Sequence, residues 1–261
     1  MAQKLLIDRP IDGVLRLSIC NPAKRNALDL EILDAIADAL GSLGGARCVV
    51  LTGRDGMFSS GYDIGAIPAD EFAVEAQKLV AHPFCAALDA LDAAEVPTLA
   101  ALGGSAIGGG LELALACDLR VASGRIELGM PPAKLGLIYS HTGMRRFVDA
   151  IGEPRTRELF LLGRYIDAPT ARSWGLVNWV VADDELEAAS LELAAQLAAN
   201  APLAMSGNKR VLRELLRAEA AMDPDVEREL LALRESSFAS HDLREGVSAF
   251  AEKRAPSWKG R

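Results

Sequence analysis

The chain has 261 residues, of which 50% are hydrophobic and 25% are charged, so it can bury the core of one large domain. Its net charge of −8 and isoelectric point near 5.0 disfavour a nucleic-acid partner held by electrostatics. No apolar run approaches the length of a membrane span, and Cys20, Cys48, Cys85 and Cys117 have neither disulfide nor zinc spacing. We therefore expect a cytoplasmic protein that contacts no membrane and holds no metal.

Strands and helices alternate over the first two thirds of the sequence. Strands are predicted over residues 13–19, 48–52, 98–102, 119–122 and 176–181. Helices are predicted over residues 27–40, 70–91 with an interruption near Pro83, 154–162 and 169–174. Asn26 is the expected N-cap of the first helix, with Asp29 as the alternative. Loops are predicted over residues 53–65 and 126–146, and the second is long enough to carry function.

From residue 186 the composition shifts to Ala, Leu, Glu and Arg, with no strand signal. Helices are predicted there over residues 186–200, 202–217, 223–237 and 243–254. We therefore divide the chain into an α/β core over residues 1–185 and a helical C-terminal region over residues 186–261.

The central stretch, residues 97–118, carries the strongest chemical signal. A short apolar strand leads into five glycines within eight residues and then into an apolar helix whose single charge is Glu112. A helix that begins near Gly109 directs unpaired N–H groups at a ligand, as in an oxyanion hole. Glu112 follows within the first turn, where a buried carboxylate is rare unless it is paired or used. The alternative is a packing turn followed by a helix that tolerates one acid.

Two other segments could complete such a site. Gly61 allows a tight bend in the segment FSSGYDI, which would let the Tyr62 N–H serve as a second oxyanion donor. The segment LGLIYSHT offers Tyr139, Ser140 and His141 in a predicted loop. His141 is the base suggested by residue type, whereas Tyr139 is the better candidate to face inward. The sequence has no nucleotide-hydrolase P-loop, zinc-protease, serine-esterase or dinucleotide-binding motif.

Taken together, the segments NPAKRNAL, FSSGYDI, SAIGGGLELALACDLRVAS, LGMPPAKLGL and AFAEKRAPSW resemble the crotonase superfamily, the enoyl-CoA hydratase/isomerase family. The resemblance covers nearly the whole chain. It implies a spiral of ββα units, a helical C-terminal region that forms homotrimers or dimers of trimers, and an acyl-CoA thioester substrate. It implies no metal or other cofactor, because coenzyme A arrives as part of the substrate. The N–H groups of Tyr62 and Gly109 match the two oxyanion donors of the family.

The same resemblance suggests which residues contact the substrate. Lys24 and Arg25 would lie near the nucleotide end of coenzyme A, and Phe250 and Lys253 match a C-terminal segment that often completes a neighbouring subunit's site. The full expected set of substrate contacts is Lys24, Arg25, Ala27, Ser60, Asp63, Ile64, Gly108, Pro132, Phe250 and Lys253. The acyl-pocket wall is expected over residues 72–91.

One departure from the family pattern bears on the reaction. Glu112 matches the first of the two glutamates that hydratases use, but Pro132 stands where the second would be. The segments that include Tyr139 and the C-terminal end are similar to methylmalonyl-CoA decarboxylase-like members, although Tyr62 replaces a histidine found there. We therefore expect decarboxylation of a malonyl-type acyl-CoA, with Glu112, Tyr139 and His141 as catalytic candidates. Hydration, double-bond isomerisation and a non-catalytic acyl-CoA-binding trimer stay open as alternatives.

Overall fold

The computed structural model describes residues 3–63, 83–219 and 222–260. Within these ranges two sheets and the helices around them form the core. The strands are β1 (Leu5–Asp8), β2 (Val14–Ile19), β3 (Cys48–Gly53), β4 (Met57–Ser59), β5 (Thr98–Leu102), β6 (Ser105–Ile107), β7 (Leu119–Ser123), β8 (Glu127–Gly129), β9 (Tyr165–Asp167) and β10 (Trp179–Val181). The helices are α1 (Leu30–Gly41), α2 (Cys85–Ala93), α3 (Gly109–Leu115), α4 (Pro132–Leu135), α5 (His141–Leu162), α6 (Ala168–Trp174), α7 (Leu186–Ala199), α8 (Pro202–Glu219), α9 (Pro224–Phe238) and α10 (His241–Ala251).

The chain alternates between the two sheets in a regular way. The larger sheet has the order β1-β2-β3-β5-β7-β10 and the smaller has the order β4-β6-β8-β9 among the described strands. All neighbours are parallel except β1 with β2 and β8 with β9. Successive pairs, β3 with β4, β5 with β6, and β7 with β8, each give one strand to each sheet. This repeated two-strand unit confirms the predicted α/β spiral.

The short strands of the smaller sheet are absent from the sequence prediction. β4, β6 and β8 each have three residues and lie inside segments expected to be loops or turns. Three residues are too few to show an alternating pattern, so only their partners in the fold identify them as strands. The predicted loop over residues 126–146 likewise contains β8, α4 and the start of α5. Its glycines and prolines mark the ends of these short elements rather than one irregular loop.

The N-cap of α1 is Asp29, the alternative prediction, and not Asn26. Asp29 caps α1, and its side chain accepts a hydrogen bond from the Ile32 N–H at 3.1 Å. Asn26 is instead fully buried three residues earlier, where its amide donates to the carbonyls of Met57 (2.6 Å) and Arg54 (2.8 Å). Its left-handed backbone, with φ of 56°, is a conformation that asparagine tolerates well. Asn26 is the last residue of the NPAKRN turn, residues 21–26, and its side chain holds that turn against the segment from Arg54 to Met57.

The C-terminal helices differ in what they cover. The first of them, α7, packs on the larger sheet, where Leu186, Ala194 and Ala198 join Val50 and Leu99 in one buried cluster. By contrast, α8 exposes a row of large apolar side chains, namely Leu203, Val211, Leu212, Leu215 and Leu216. The wall of the acyl pocket is expected over residues 72–91. Residues 72–82 of that range lie outside the described residues.

Candidate functional site

The site begins where β6 turns into α3. Gly108 ends the turn with φ of 56° and forms the N-cap of α3. Its carbonyl accepts hydrogen bonds from the N–H groups of Leu111 and Glu112, while its own N–H is held by the Gly129 carbonyl at 2.9 Å. This geometry leaves the N–H groups at the start of the helix directed outward from its first turn.

A second loop comes against this turn at Gly61. With φ of 93°, a side chain at Gly61 would be strained, and a Cβ there would lie 2.9 Å from the Ile107 carbonyl oxygen and 3.2 Å from the Gly109 nitrogen. Leu28 forms backbone hydrogen bonds on either side of Tyr62. Its N–H donates to the Gly61 carbonyl, and its carbonyl accepts from the Asp63 N–H. The backbone at Tyr62 is therefore fixed beside the backbone at Gly109.

These two loops bring the two predicted donors, the N–H groups of Tyr62 and Gly109, close together. Among the hydrogen bonds of the described residues, neither the Tyr62 N–H nor the Gly109 N–H has an acceptor. Two neighbouring N–H groups without acceptors could hold an oxygen that gains negative charge. The ring of Tyr62 lies over Gly109, where a Cβ would be 3.0 Å from the Tyr62 Cζ. We refer to Tyr62 and Gly109 as the donor pair.

Glu112 and Tyr139 meet in the interior. Glu112 is only 2% exposed, and the Tyr139 hydroxyl donates a hydrogen bond to its Oε2. Burial raises the pKa of the Glu112 carboxyl, and the hydrogen bond from Tyr139 and the charges of Arg146 and Arg234 oppose that rise. A carboxyl in such surroundings can carry a proton nearer to neutral pH than an exposed one. We refer to Glu112 and Tyr139 as the acid pair.

Tyr139 keeps its own proton at neutral pH. Its ring is buried edge-to-face against Phe160, with the centroids 5.4 Å apart. Burial and the negative charge of Glu112 raise the pKa of the Tyr139 phenol well above its usual value. Burial and the charge of Glu112 also raise the pKa of the Tyr62 phenol well above its usual value, and Tyr139 opposes that rise. The side chain of Tyr62 thus faces the acid pair, while its N–H belongs to the donor pair.

Sequence reasoning missed several residues around the acid pair. A Cβ at Gly143 would lie 2.7 Å from Glu112 Oε1, so glycine is needed there for the carboxylate to fit. Arg146 places its Nε 4.0 Å from the same oxygen and pairs with Asp92. Arg234, from α9, carries a positive charge that acts on both Glu112 and Tyr62. These residues come from three distant helices, and only an arginine-rich GMRRF sequence after Tyr139 signals any of them.

His141 lies at the start of α5, away from the acid pair's hydrogen bond. Its Nε2 is 3.4 Å from Glu227 Oε1 of α9, and Ser140 caps the helix by accepting from the Gly143 N–H. Within the described part of the chain no hydrogen bond or ion pair joins the imidazole to Glu112. A catalytic role for His141 stays a prediction that this geometry does not favour.

The predicted substrate contacts near the NPAKRN turn gather around the second loop. Lys24 is exposed, and its Nζ lies 2.5 Å from Asp63 Oδ2. Ser60 joins the same turn, since its hydroxyl donates to the Lys24 carbonyl and its N–H to the Arg25 carbonyl. Ala27 is buried next to this turn. A cavity of about 120 Å³ opens alongside, lined by Pro22, Arg25, Asn26, Arg54, Asp55, Gly56 and Met57.

The remaining predicted contacts are more scattered. Pro132 is buried at the first position of α4, seven residues before Tyr139. Phe250 is 75% exposed near the end of α10, and Lys253 is exposed just after it. Ile64 lies outside the described residues. A larger cavity of about 530 Å³ is lined by Arg16, Ser18, Cys20, Thr52, Gly53, Arg54, Asp55 and Glu187, and so includes neither pair.

Two features are absent from the described residues, 3–63, 83–219 and 222–260. These residues contain no group of three or more His, Cys, Asp or Glu side chains arranged to hold a metal ion. None of their helices has the length and apolar character needed to cross a bilayer.

Comparison with known proteins adds a family and a set of relatives. The sequence profile of the family described as enoyl-CoA hydratase/isomerase matches residues 10–261. Carnitinyl-CoA dehydratase of Salmonella typhi is 34% identical over 257 residues, covering 95% of each chain. The 2,3-dehydroadipyl-CoA hydratase of Escherichia coli strain K12 is 32% identical over 261 residues, covering 99% of each chain. A solved structure of methylmalonyl-CoA decarboxylase in complex with 2-nitronate-propionyl-CoA has a TM-score of 0.90 and 28% identity over the whole of both chains.

Proposed function

Because the chain belongs to the enoyl-CoA hydratase/isomerase family, we propose that this acyl-CoA enzyme removes CO2 from a malonyl-type acyl-CoA through a thioester enolate. The observation that carries the proposal is the hydrogen bond from Tyr139 to the buried Glu112, beside the donor pair. The sequence resemblance supports it, because Pro132 matches the position of the second glutamate of hydratases. Hydration needs one group to remove a proton from water and another to deliver one. A single acid pair suits a reaction that only delivers a proton.

In the proposed reaction the thioester oxygen accepts hydrogen bonds from the N–H groups of Tyr62 and Gly109. The bond between the α-carbon and the carboxylate breaks, and its electron pair passes into the thioester to form the enolate as CO2 leaves. The donor pair stabilises the negative charge on the enolate oxygen. The reaction needs no metal or added cofactor, because the thioester itself accepts the electron pair.

The acid pair then completes the product. When Glu112 is protonated it donates the hydrogen bond that it accepts from Tyr139 when ionised, which frees the Tyr139 proton. The α-carbon takes that proton, and Glu112 passes its own proton to the Tyr139 oxygen. Solvent restores the proton of Glu112. The raised pKa of Glu112 supports this role, because it lets the carboxyl hold a proton at a pH where an exposed glutamate would have lost it.

The test is a mass-resolved assay of the pure protein against malonyl-type acyl-CoAs, including methylmalonyl- and ethylmalonyl-CoA, and against enoyl-CoAs such as crotonyl-CoA. We expect CO2 loss that falls by about a hundredfold in Glu112→Gln and Tyr139→Phe, since each removes one member of the proton path. Circular dichroism checks that both variants fold. Water addition to crotonyl-CoA at ordinary enzyme rates, without CO2 loss, would contradict the proposal.

Hydration is the second candidate, and the relatives support it. A hydratase and a dehydratase are 32% and 34% identical to this chain, at least as similar in sequence as the decarboxylase. In that case Glu112 would act as the base towards water, and another group would supply the acid. The enoyl-CoA panel of the same assay distinguishes the two candidates.

We also propose that the chain assembles as a homotrimer or a dimer of trimers. The exposed apolar face of α8 supports this, because 89% of Leu203 and 62% of Leu212 would otherwise face water. Size-exclusion chromatography with light scattering tests the proposal directly: we expect a trimeric or hexameric mass, and a monomer at micromolar concentration would contradict the proposal.

A further inference from the structure

The guanidinium of Arg146 lies between two carboxylates. Its Nη1 and Nη2 donate to the two carboxylate oxygens of Asp92, at 2.9 and 2.6 Å, while its Nε is 4.0 Å from Glu112 Oε1. A two-bond contact of this kind fixes the plane of an arginine as well as its position. Asp92 therefore determines where the positive charge of Arg146 stands relative to Glu112.

Asp92 is held in turn from the C-terminal region. It lies near the end of α2, where carbonyl groups lack partners within the helix. Arg213 of α8 donates to the Asp92 carbonyl at 2.8 Å, and Lys209 donates to the carbonyls of Leu91 and Val96 at 3.3 and 3.2 Å. Cations at a helix C-terminus satisfy these groups and complement the helix dipole. The end of α2 is thus anchored independently of Arg146.

The two oxygens of Glu112 have different neighbours. Oε2 accepts from the Tyr139 hydroxyl, and Oε1 faces Arg146 and Gly143, where a Cβ would lie 2.7 Å from it. The two oxygens of an ionised carboxylate are equivalent, so what Arg146 fixes is the plane of the group, with one oxygen towards the guanidinium and the other towards Tyr139. Since Glu112 is 2% exposed, solvent offers little competition for either oxygen.

Other titratable and charged groups also face Glu112, from each element packed around it. Their charges act on the same carboxyl, some favouring its ionised form and some opposing it. They are Tyr139, Tyr62, Cys85, Asp92, Arg146 and Arg234.

We propose that Arg146 is a positioning residue that Asp92 holds beside Glu112, where it orients the carboxylate with one oxygen towards Tyr139 and stabilises the carboxylate left when Glu112 gives up its proton. The consequence for turnover rests on the proposed function. The orientation and charge of Glu112 do not, because they follow from contacts within the chain.

The first experiment is the pH profile of kcat and KM for wild type, Arg146→Gln and Arg146→Lys. Arg146 lowers the pKa of Glu112, so its removal raises that pKa and the protonated form persists to higher pH. For a general acid, activity is lost as pH rises through its pKa, so we expect the basic limb of Arg146→Gln to move to higher pH. We expect kcat to fall about tenfold, with KM within about twofold, and lysine to restore part of the loss.

Arg145→Gln is the matched control, because the neighbouring arginine pairs with Asp149 on its own helix at 2.5 Å. We expect its pH profile to coincide with that of wild type. Asp92→Asn tests the hold on Arg146, because it weakens the two hydrogen bonds that fix the guanidinium; we expect kcat to fall with little change in KM, less than in Arg146→Gln. An unmoved limb in Arg146→Gln, or a wild-type kcat in Asp92→Asn, would overturn the proposal.

A readout without turnover separates this proposal from the proposed function. Difference infrared spectroscopy follows the protonated carboxyl band of Glu112 across pH, with Glu112→Gln identifying the band. We expect the band to persist to higher pH in Arg146→Gln than in wild type. If wild type removes no CO2 but the band still shifts, the function fails and the role of Arg146 stands. If the band does not shift, the role of Arg146 is wrong whatever the reaction.

Discussion

The two halves of the site are built in different ways. The donor pair is made of backbone, and its geometry is set by Gly61, Gly108 and the contacts of Leu28. The acid pair is made of side chains, and its properties are set by burial and by arginines from α5 and α9. A backbone site depends on space that only glycine leaves free, whereas a side-chain site depends on charge and can be adjusted one residue at a time. The halves should therefore fail differently under mutation.

The largest effect should follow a change at Gly61. In Gly61→Ala the new Cβ would press on the Ile107 carbonyl and the Gly109 nitrogen, so both donors would be displaced. We expect turnover to fall about a thousandfold and stability to fall by about 1–3 kcal/mol. Turnover assays and thermal unfolding measure the two losses.

Gly56→Ala is the control for backbone strain alone. Gly56 also has a positive φ, of 75°, but a Cβ there would meet nothing within 4 Å. We expect it to lose stability but keep most of its activity. Equal activity losses in the two variants would show that strain, rather than displacement of the donors, explains the effect.

Pro132→Glu tests whether a second carboxyl, added to the acid pair, increases hydration. The variant places a carboxyl at the position that the sequence resemblance matches to the second glutamate of hydratases, which would supply the second group that hydration requires. We expect hydration of crotonyl-CoA to rise about tenfold or more above the wild-type rate, with a loss of stability from the new buried acid. Pro132→Gln is the matched control, because it changes the backbone without adding an acid. If both variants hydrate equally, the missing acid is not what limits wild type.

Glu112 should cost the protein stability at neutral pH. Its folded-state pKa is raised above the ordinary value of 4.5, so the folded chain binds the proton more tightly than the unfolded chain. Stability then falls as pH rises from the unfolded-state pKa through the folded-state pKa. We expect Glu112→Gln to unfold at a higher temperature than wild type at pH 7, with the difference shrinking below about pH 4.5. Calorimetry over that range checks the sign, and a variant that unfolds at a lower temperature than wild type at pH 7 would contradict it.

The smallest effect should be at His141. Its partner Glu227 is half-exposed, and exposed ion pairs contribute little. We expect His141→Ala to keep kcat within about twofold and to lose at most about 1 kcal/mol of stability. Steady-state kinetics tests this expectation. A loss of kcat comparable to that of Tyr139→Phe would show that the imidazole of His141 takes part in catalysis.

How much of the fold can be predicted from the sequence depends on how many residues each strand or helix has. The strands over Val14–Ile19 and Thr98–Leu102 have enough apolar residues to be recognised, and the glycines around Gly109 mark the turn before α3. The three-residue strands of the smaller sheet carry no such pattern. Asn26 reads equally well as a helix cap or a buried anchor, and only the position of the Met57 carbonyl decides between them.

The candidate site divides in the same way. Tyr62, Gly109, Glu112 and Tyr139 could be selected from the sequence, because their segments are unusual in glycine content or place one polar group among apolar ones. The groups that set the charge of Glu112 could not, since Asp92, Arg146 and Arg234 are far apart in the sequence and look like ordinary surface residues. His141 shows the converse, because an attractive residue type does not reveal which way a side chain turns.

The central claim is that the acid pair delivers a proton to an enolate held by the donor pair. The most direct measurement is mass spectrometry of the products that wild type forms from methylmalonyl-CoA and crotonyl-CoA in D2O. The account predicts CO2 loss from the first substrate, one deuterium at the α-carbon of the product, and little change in the second. Rapid addition of solvent to crotonyl-CoA, with methylmalonyl-CoA left intact, would contradict it.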